Sequence, residues 1–300
     1  MRARLAPWFS AALSLALATT LTQAAQAYCR ASTCKNGQVC TPPEEGECGV
    51  PLVWKRPCVG IAVQIDASVQ VPFDVARDTM LQSFLAWESP ICNGELPGIH
   101  VEYMGDVPCA KIEYNQLGGN ANVLIFRDAV WPHPGGSSDH KIALTTVTFD
   151  KNTGEIFDAD IEVNSTDKFH FTFGDTDVEY DLQSVLTHEA GHFLGLGHAQ
   201  EAFPDATMKA TYYPGMTEQR TLADDDKNGL CAIYPPQPID RESCNPIPRH
   251  GFSPACLDAQ TEGDCSIARG PSRTSTGAAA MIALAMAALV RGRSARRARS

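Results

Sequence analysis

The chain has 300 residues, 44% of them hydrophobic, enough to bury one full-sized core once its two ends are set aside. Its formal net charge is −11, and about −20 over residues 28–265, because the two end segments carry nine arginines and no acidic residue; such an excess repels phosphate backbones and excludes nucleic acid as an expected partner. Eleven cysteines fit an oxidising compartment and read as a disulfide framework; without Cys265 ten remain, an even number that can close as five bridges whose pairing stays open.

Residues 1–27 read as a signal peptide: Arg2 and Arg4, an apolar stretch from Ala11 to Leu21, then the small-x-small run Ala25-Gln26-Ala27, with Tyr28 as the expected mature N-terminus. The competing reading is an uncleaved anchoring helix, for which the apolar core is short. Residues 28–50 form a Cys-rich segment, too short for a folded prodomain. VGIAVQID (59–66) alternates apolar and polar side chains and predicts a strand with one buried face. PFDVARDTMLQSFLAWE (72–88) places Val75, Thr79, Met80, Phe84 and Trp87 at helical spacing behind a proline suited to a first turn. Further strands are predicted at 99–106, 122–128, 142–150 and 155–165, the last two as a hairpin across Lys151-Asn152-Thr153-Gly154. Five strands, one early helix and later helices indicate an α+β domain on a mixed sheet. DLQSVLTHEAGHFL (181–194) predicts a helix with Leu182, Val185, Leu186 and Phe193 on one stripe, starting at Asp181 or, through a capping box with Glu179, at Thr176. A last helix is predicted over 222–234, stopped by Pro235 and Pro236. Residues 237–264 read as a Pro/Cys-rich linker or disulfide-tied appendage. In 265–300, GAAAMIALAMAALV (277–290) is short for a bilayer span but precedes five arginines that would hold it on the cytoplasmic side.

The most informative stretch is HEAGHFLGLGH (188–198). On a helix, His188 and His192 lie one above the other and can direct two imidazoles at one metal. Glu189 is about 100° further round, unsuited to be a third ligand but able to reach a water on that metal. Gly195 tolerates the left-handed conformation that ends a helix, so the chain can turn back and bring in His198. Three nitrogens leave a fourth position open for water, the arrangement of a catalytic zinc. Glu189 would take that water's proton as it attacks a polarised carbonyl, then return it to the departing amine.

The full HExxHxxGxxH pattern, with Met208 ten residues beyond its third histidine, resembles the metzincin metallopeptidases. Within them the chain is most similar to the matrixins: PLVWKRPCVGIAVQID resembles their first strand, DLQSVLTHEAGHFLGLGH their active-site helix and TLADDDKNGLCAIYP their closing helix, over residues 51–236. The resemblance implies a metzincin-like α+β domain with a mixed five-stranded sheet, an active-site helix, a Met-turn at Met208 and a C-terminal helix. It also implies one catalytic zinc held by His188, His192 and His198, with Glu189 catalytic, and protein or peptide substrates. Tyr212, Tyr213 and Pro214 would wall the pocket for the residue after the scissile bond, or else serve as packing residues. Departures are Ala199, often serine in matrixins, and the lack of a full ligand set for a second, structural zinc among His133, His140 and Asp160. Calcium on acidic loops stays open, without an assigned position. Cys48 in ECGVP (47–51) is similar to the cysteine that caps matrixin zinc, yet its Cys-rich surroundings favour a disulfide. DDDKNG (224–229) places Pro235 where a calcium loop needs glutamate, and reads instead as an acidic first helical turn. The tail from Cys265 resembles C-terminal sorting signals of myxobacterial surface proteins, which implies export and transient or stable membrane association; the alternative is an ordinary apolar helix with a basic end.

The expected protein is a monomeric zinc endopeptidase, secreted or at the cell surface, acting on extracellular proteins. Two alternatives remain: a surface binding or adhesion module with zinc as a structural element, and a zinc hydrolase of other amides. Hydrolysis of intact proteins separates them.

Overall fold

The computed structural model describes residues 28–35, 37–133, 141–240 and 244–256. The expected signal peptide, His140 and the tail from Cys265 lie outside them. In chain order the elements are β1 (Tyr28–Ala31), β2 (Gln38–Thr41), β3 (Cys58–Gln64), α1 (Phe73–Glu88), β4 (His100–Val107), β5 (Val123–Phe126), β6 (Ala143–Phe149), β7 (Ile156–Val163), the two-residue strands β8 (Phe171–Thr172) and β9 (Tyr180–Asp181), α2 (Leu182–Phe193) and α3 (Asp224–Ile233). No helix among the described residues is long and apolar enough to cross a membrane.

The main sheet has five strands in the order β4-β3-β5-β7-β6. β3 runs parallel to β4 and β5, and β5 parallel to β7. Only the edge strand β6 is antiparallel, joined to β7 by the expected hairpin, Thr146 opposite Asp160. This is the α+β architecture with a mixed five-stranded sheet that the sequence predicts.

One face of the sheet carries the main core. Val59, Ile61, Val63, Leu124 and Ile161 meet Met80, Phe84 and Trp87 of α1 and Leu182, Leu186 and Phe193 of α2. Phe84 packs edge-on against Phe193 with ring centroids 5.0 Å apart, and the indole nitrogen of Trp87 donates to the Thr187 carbonyl at 2.7 Å. The helical spacing along α1 therefore marks the face that rests on α2.

The alternation in 59–66 predicts one solvent face for β3, and this is corrected: all seven residues of the strand are buried. Ala62, Val107, Val123 and Ile125 form a second small core on the opposite face, capped by Met104, Ala110, Ile112, Ala121 and Phe252. Phe252 arrives because residues 244–256 are sewn back by Cys58–Cys244 and Cys109–Cys256, and Arg56 donates to the carbonyls of Asn245 and Ile247. The other bridges are Cys29–Cys40, Cys34–Cys48 and Cys92–Cys231, making five among the described residues. Cys48 is thus in a disulfide, and five bridges suit an oxidising compartment.

Of the two starts considered for the active-site helix, Asp181 is the one used. Its carboxylate accepts the Ser184 N–H at 2.7 Å, whereas the Glu179 N–H goes to the Thr172 hydroxyl. α3 opens on Asp224, Asp225 and Asp226, so DDDKNG is a helical first turn.

Candidate active site

Two caps fix α2. At its N-terminus Asp181 is fully buried and pairs with Arg220, Nη2 to Oδ2 at 2.6 Å and Nε to Oδ1 at 2.9 Å. At its C-terminus Gly195 takes φ +89°, the Gly195 N–H donates to the His192 carbonyl and the Leu196 N–H to the Gly191 carbonyl, both at 2.9 Å. That is a Schellman ending, and it reverses the chain so that His198 faces back toward the helix.

The result is a cluster in which one ligand-type atom from each of His188, His192 and His198 lies within 4.8 Å of the others. Backbone carbonyls orient two of the rings: Nδ1 of His188 bonds Thr207 O at 2.8 Å and Nδ1 of His192 bonds Leu196 O at 3.0 Å. Such bonds fix the tautomer and leave Nε2 to a metal. Nε2 of His192 and Nε2 of His198 are 3.2 Å apart; two nitrogens bound tetrahedrally to one zinc would be separated by about 3.3 Å, so the donor set fits the ion. Burial, then the charge of a neighbouring histidine, lowers His188 and His192 to about 4, and desolvation followed by His192 lowers His198 to about 3. All three are neutral near pH 7, the form that binds zinc.

Glu189 lies beside the cluster, buried, and burial raises its pKa against the opposing effects of His192 and Thr145. The Thr145 hydroxyl contacts Oε2 of Glu189 at 2.6 Å and the Glu189 carbonyl at 3.1 Å. Nothing in the sequence points to Thr145, which reaches Glu189 only because edge strand β6 crosses above α2.

Met208 is buried below the histidines. A Cβ on Gly191 would fall 2.2 Å from its sulfur, so the helix leaves room for it. Asp226 of α3 holds the turn, accepting the N–H groups of Thr207 at 2.7 Å and Met208 at 3.0 Å, and Ala199 N–H donates to the Met208 carbonyl.

The cluster opens into a cleft of about 620 Å³. Lys141–Thr145 and Val147 form its upper rim, and Val185, Lys209–Tyr212 and Gln219 border it on the Met208 side. Of the three predicted pocket residues only Tyr212 borders the cleft; its hydroxyl accepts the Asp181 N–H and donates to the Met216 carbonyl. Tyr213 is 60% exposed, and Pro214 is not on the wall. Gln219, absent from the sequence reading, donates to the Thr207 and Lys209 carbonyls and stiffens that wall. His133 bonds Glu162 at 2.6 Å, and Asp160 accepts the Val123 N–H. The other described clusters of metal-ligand type, Cys29-Cys40-Glu44 and Cys109-Glu113-Cys256, each contain both sulfurs of a disulfide.

This fold brings three imidazoles within reach of one cation, beside a buried carboxylate and at an open cleft, a donor set suited to zinc. Residues 137–235 match the family described as Matrixin. Metalloendoproteinase 1-MMP of Arabidopsis thaliana is 40% identical over 68 residues, 22% of this chain and 17% of the relative. Matrix metalloproteinase-25 of Homo sapiens is 27% identical over 207 residues, 63% of this chain and 31% of the relative, and neutrophil collagenase of Homo sapiens is 35% identical over 83 residues, 25% and 17%. The chain thus spans less than a third of the length of these relatives. Together the matches support a matrixin-like zinc metalloendopeptidase.

Proposed function

We propose that the chain is an exported zinc endopeptidase in which His188, His192 and His198 hold the metal and Glu189 is the general base. The observation that carries this is the convergence of three neutral imidazoles beside a buried carboxylate on the floor of an open cleft. Zinc bound there supplies Lewis acidity toward a peptide carbonyl and makes a water more acidic. Thr145 holds one oxygen of Glu189, leaving Oε1 outside that bond; the carboxylate takes a proton from the attacking water and hands it to the leaving amine. Burial raises its pKa, which strengthens it as a base for the first transfer. An extended substrate pairs with edge strand β6, which has no further strand beside it among the described residues, and Tyr212 borders the pocket for the residue after the scissile bond. Met208 supports the ligands by packing. Substrates are extracellular proteins, reached by export through residues 1–27 and membrane association through the tail.

The test compares the full chain with its Glu189→Ala form on casein and mixed peptides, with zinc measured by elemental analysis. The variant is expected to keep its zinc and lose on the order of 10²–10⁴-fold in kcat/KM. Cleavage at the wild-type rate by the variant refutes the mechanism. Bound zinc without any hydrolysis by the wild type would favour a binding module.

A further inference from the structure

The Cys-rich N-terminal segment is built onto the active site. β1 and β2 pair antiparallel with Cys29 opposite Cys40, and these two cysteines are bonded, while Cys34–Cys48 ties the following loop. The hairpin docks on the very turn that delivers His198. Ala31 N–H donates to the Gly195 carbonyl at 3.0 Å, Gly197 N–H donates to the Cys29 carbonyl at 2.8 Å, and Arg30 lies opposite Leu196 as in a strand pair. Beyond His198, Gln200 donates to the Pro42 carbonyl at 2.9 Å. The contact has no slack: a Cβ on Gly197 would lie 2.9 Å from Oε1 of Gln38 and 3.2 Å from its Cβ.

Ala31, Gly37 and Gln38 consequently form part of the cleft wall, next to Gly197 and His198. Lys209–Tyr212 border the same cleft next to Thr207, the partner of His188. Gln38 is half-buried, and among the described residues its amide makes one long hydrogen bond, Nε2 to Sγ of Cys40 at 3.4 Å, to a weak acceptor. A primary amide offers two donors and two acceptor lone pairs, so most of its bonding capacity is left for a peptide lying in the cleft.

We propose that this stapled hairpin is a fixed wall of the substrate cleft beside His198 and that Gln38 is a specificity-determining residue on it, selecting peptide side chains on the side of the metal away from Tyr212. The proposal rests on the reading of the cleft as a peptide site. Its two disulfides and its backbone pairing with residues 195–197 make the wall rigid, so selection there costs little ordering on binding.

The test uses the full chain, loaded with zinc, as wild type, Gln38→Glu and Gln38→Lys. The probes are short peptides ending in a hydroxamate, identical except for Asp, Asn or Lys at each of the three positions preceding it. Affinity is read by displacement of a fluorescent peptide hydroxamate, with zinc content and melting temperature measured alongside. Gln38→Glu is expected to shift the Lys-to-Asp affinity ratio upward on the order of 5-fold at one or two adjacent positions, and Gln38→Lys to shift it downward by a similar factor. Opposite shifts from two variants cannot come from a general loosening of the fold. Ratios within twofold of wild type at every position overturn the proposal, as does absence of binding by every peptide to the wild type. Turnover of matching unmodified peptides is followed separately: affinities that shift without turnover would refute the peptidase reading and leave the hairpin's role standing.

Discussion

Replacing Gly195 by alanine should detach His198 from the cluster while α2 itself persists. Two effects add. At φ +89° an L-residue costs roughly 1–2 kcal/mol. The new Cβ would also stand 2.7 Å from the Leu52 carbonyl oxygen, where ordinary contact begins at 3.4 Å, so one side must yield by about 0.7 Å. Leu52 cannot give way easily, since its carbonyl accepts Arg30 Nη2 at 2.9 Å and its N–H donates to Ala31 O at 2.8 Å. The turn moves instead, and metal sites tolerate about 0.2 Å. Zinc affinity is therefore expected to fall on the order of 10–100-fold, with a stability loss of about 1–3 kcal/mol. Competition with a chromophoric chelator and thermal unfolding followed by circular dichroism measure the two quantities. Gly94→Ala is the control, because φ there is +95° with nothing within 4 Å of the added carbon. Zinc affinity within twofold of wild type in Gly195→Ala would refute the reasoning that this glycine positions the third ligand.

Thr145→Val removes the hydroxyl that holds Glu189 and should lower kcat about 10-fold with little change in KM, while Thr145→Ser restores it; a valine variant with unchanged kcat would show that the bond does not orient the carboxylate. Asp158 is 2% exposed, its Oδ1 has no hydrogen-bond partner among the described residues, and burial, then the Glu113 charge, pushes its pKa up. Its folded state therefore holds a proton that the unfolded chain releases, so stability falls as pH rises from the unfolded value of about 4 through the raised one. Asp158→Asn should flatten this decline and melt on the order of 3 °C above wild type at pH 8, the gap closing toward pH 4; parallel melting curves across that range would rule the titration out.

Local patterns in the chain carried much of the result. Short runs bounded by turn residues mark β4, β6 and β7, helical spacing marks α1 and α2, and Pro235-Pro236 marks the end of α3, because each depends on neighbours within a few residues. The histidine spacing with Gly195 is of the same kind: a helix and one left-handed residue set where three rings can point. Tertiary structure decided what no local period encodes. Cys58 meets Cys244 across 186 residues, and the segment it brings over the sheet buries the face of β3 that alternation leaves to solvent. Thr145 reaches Glu189 across 44 residues, and the terminal hairpin becomes a cleft wall by pairing with residues 195–197. A pairing between distant segments depends on how the whole sheet stacks, and so leaves no periodic trace in either segment alone.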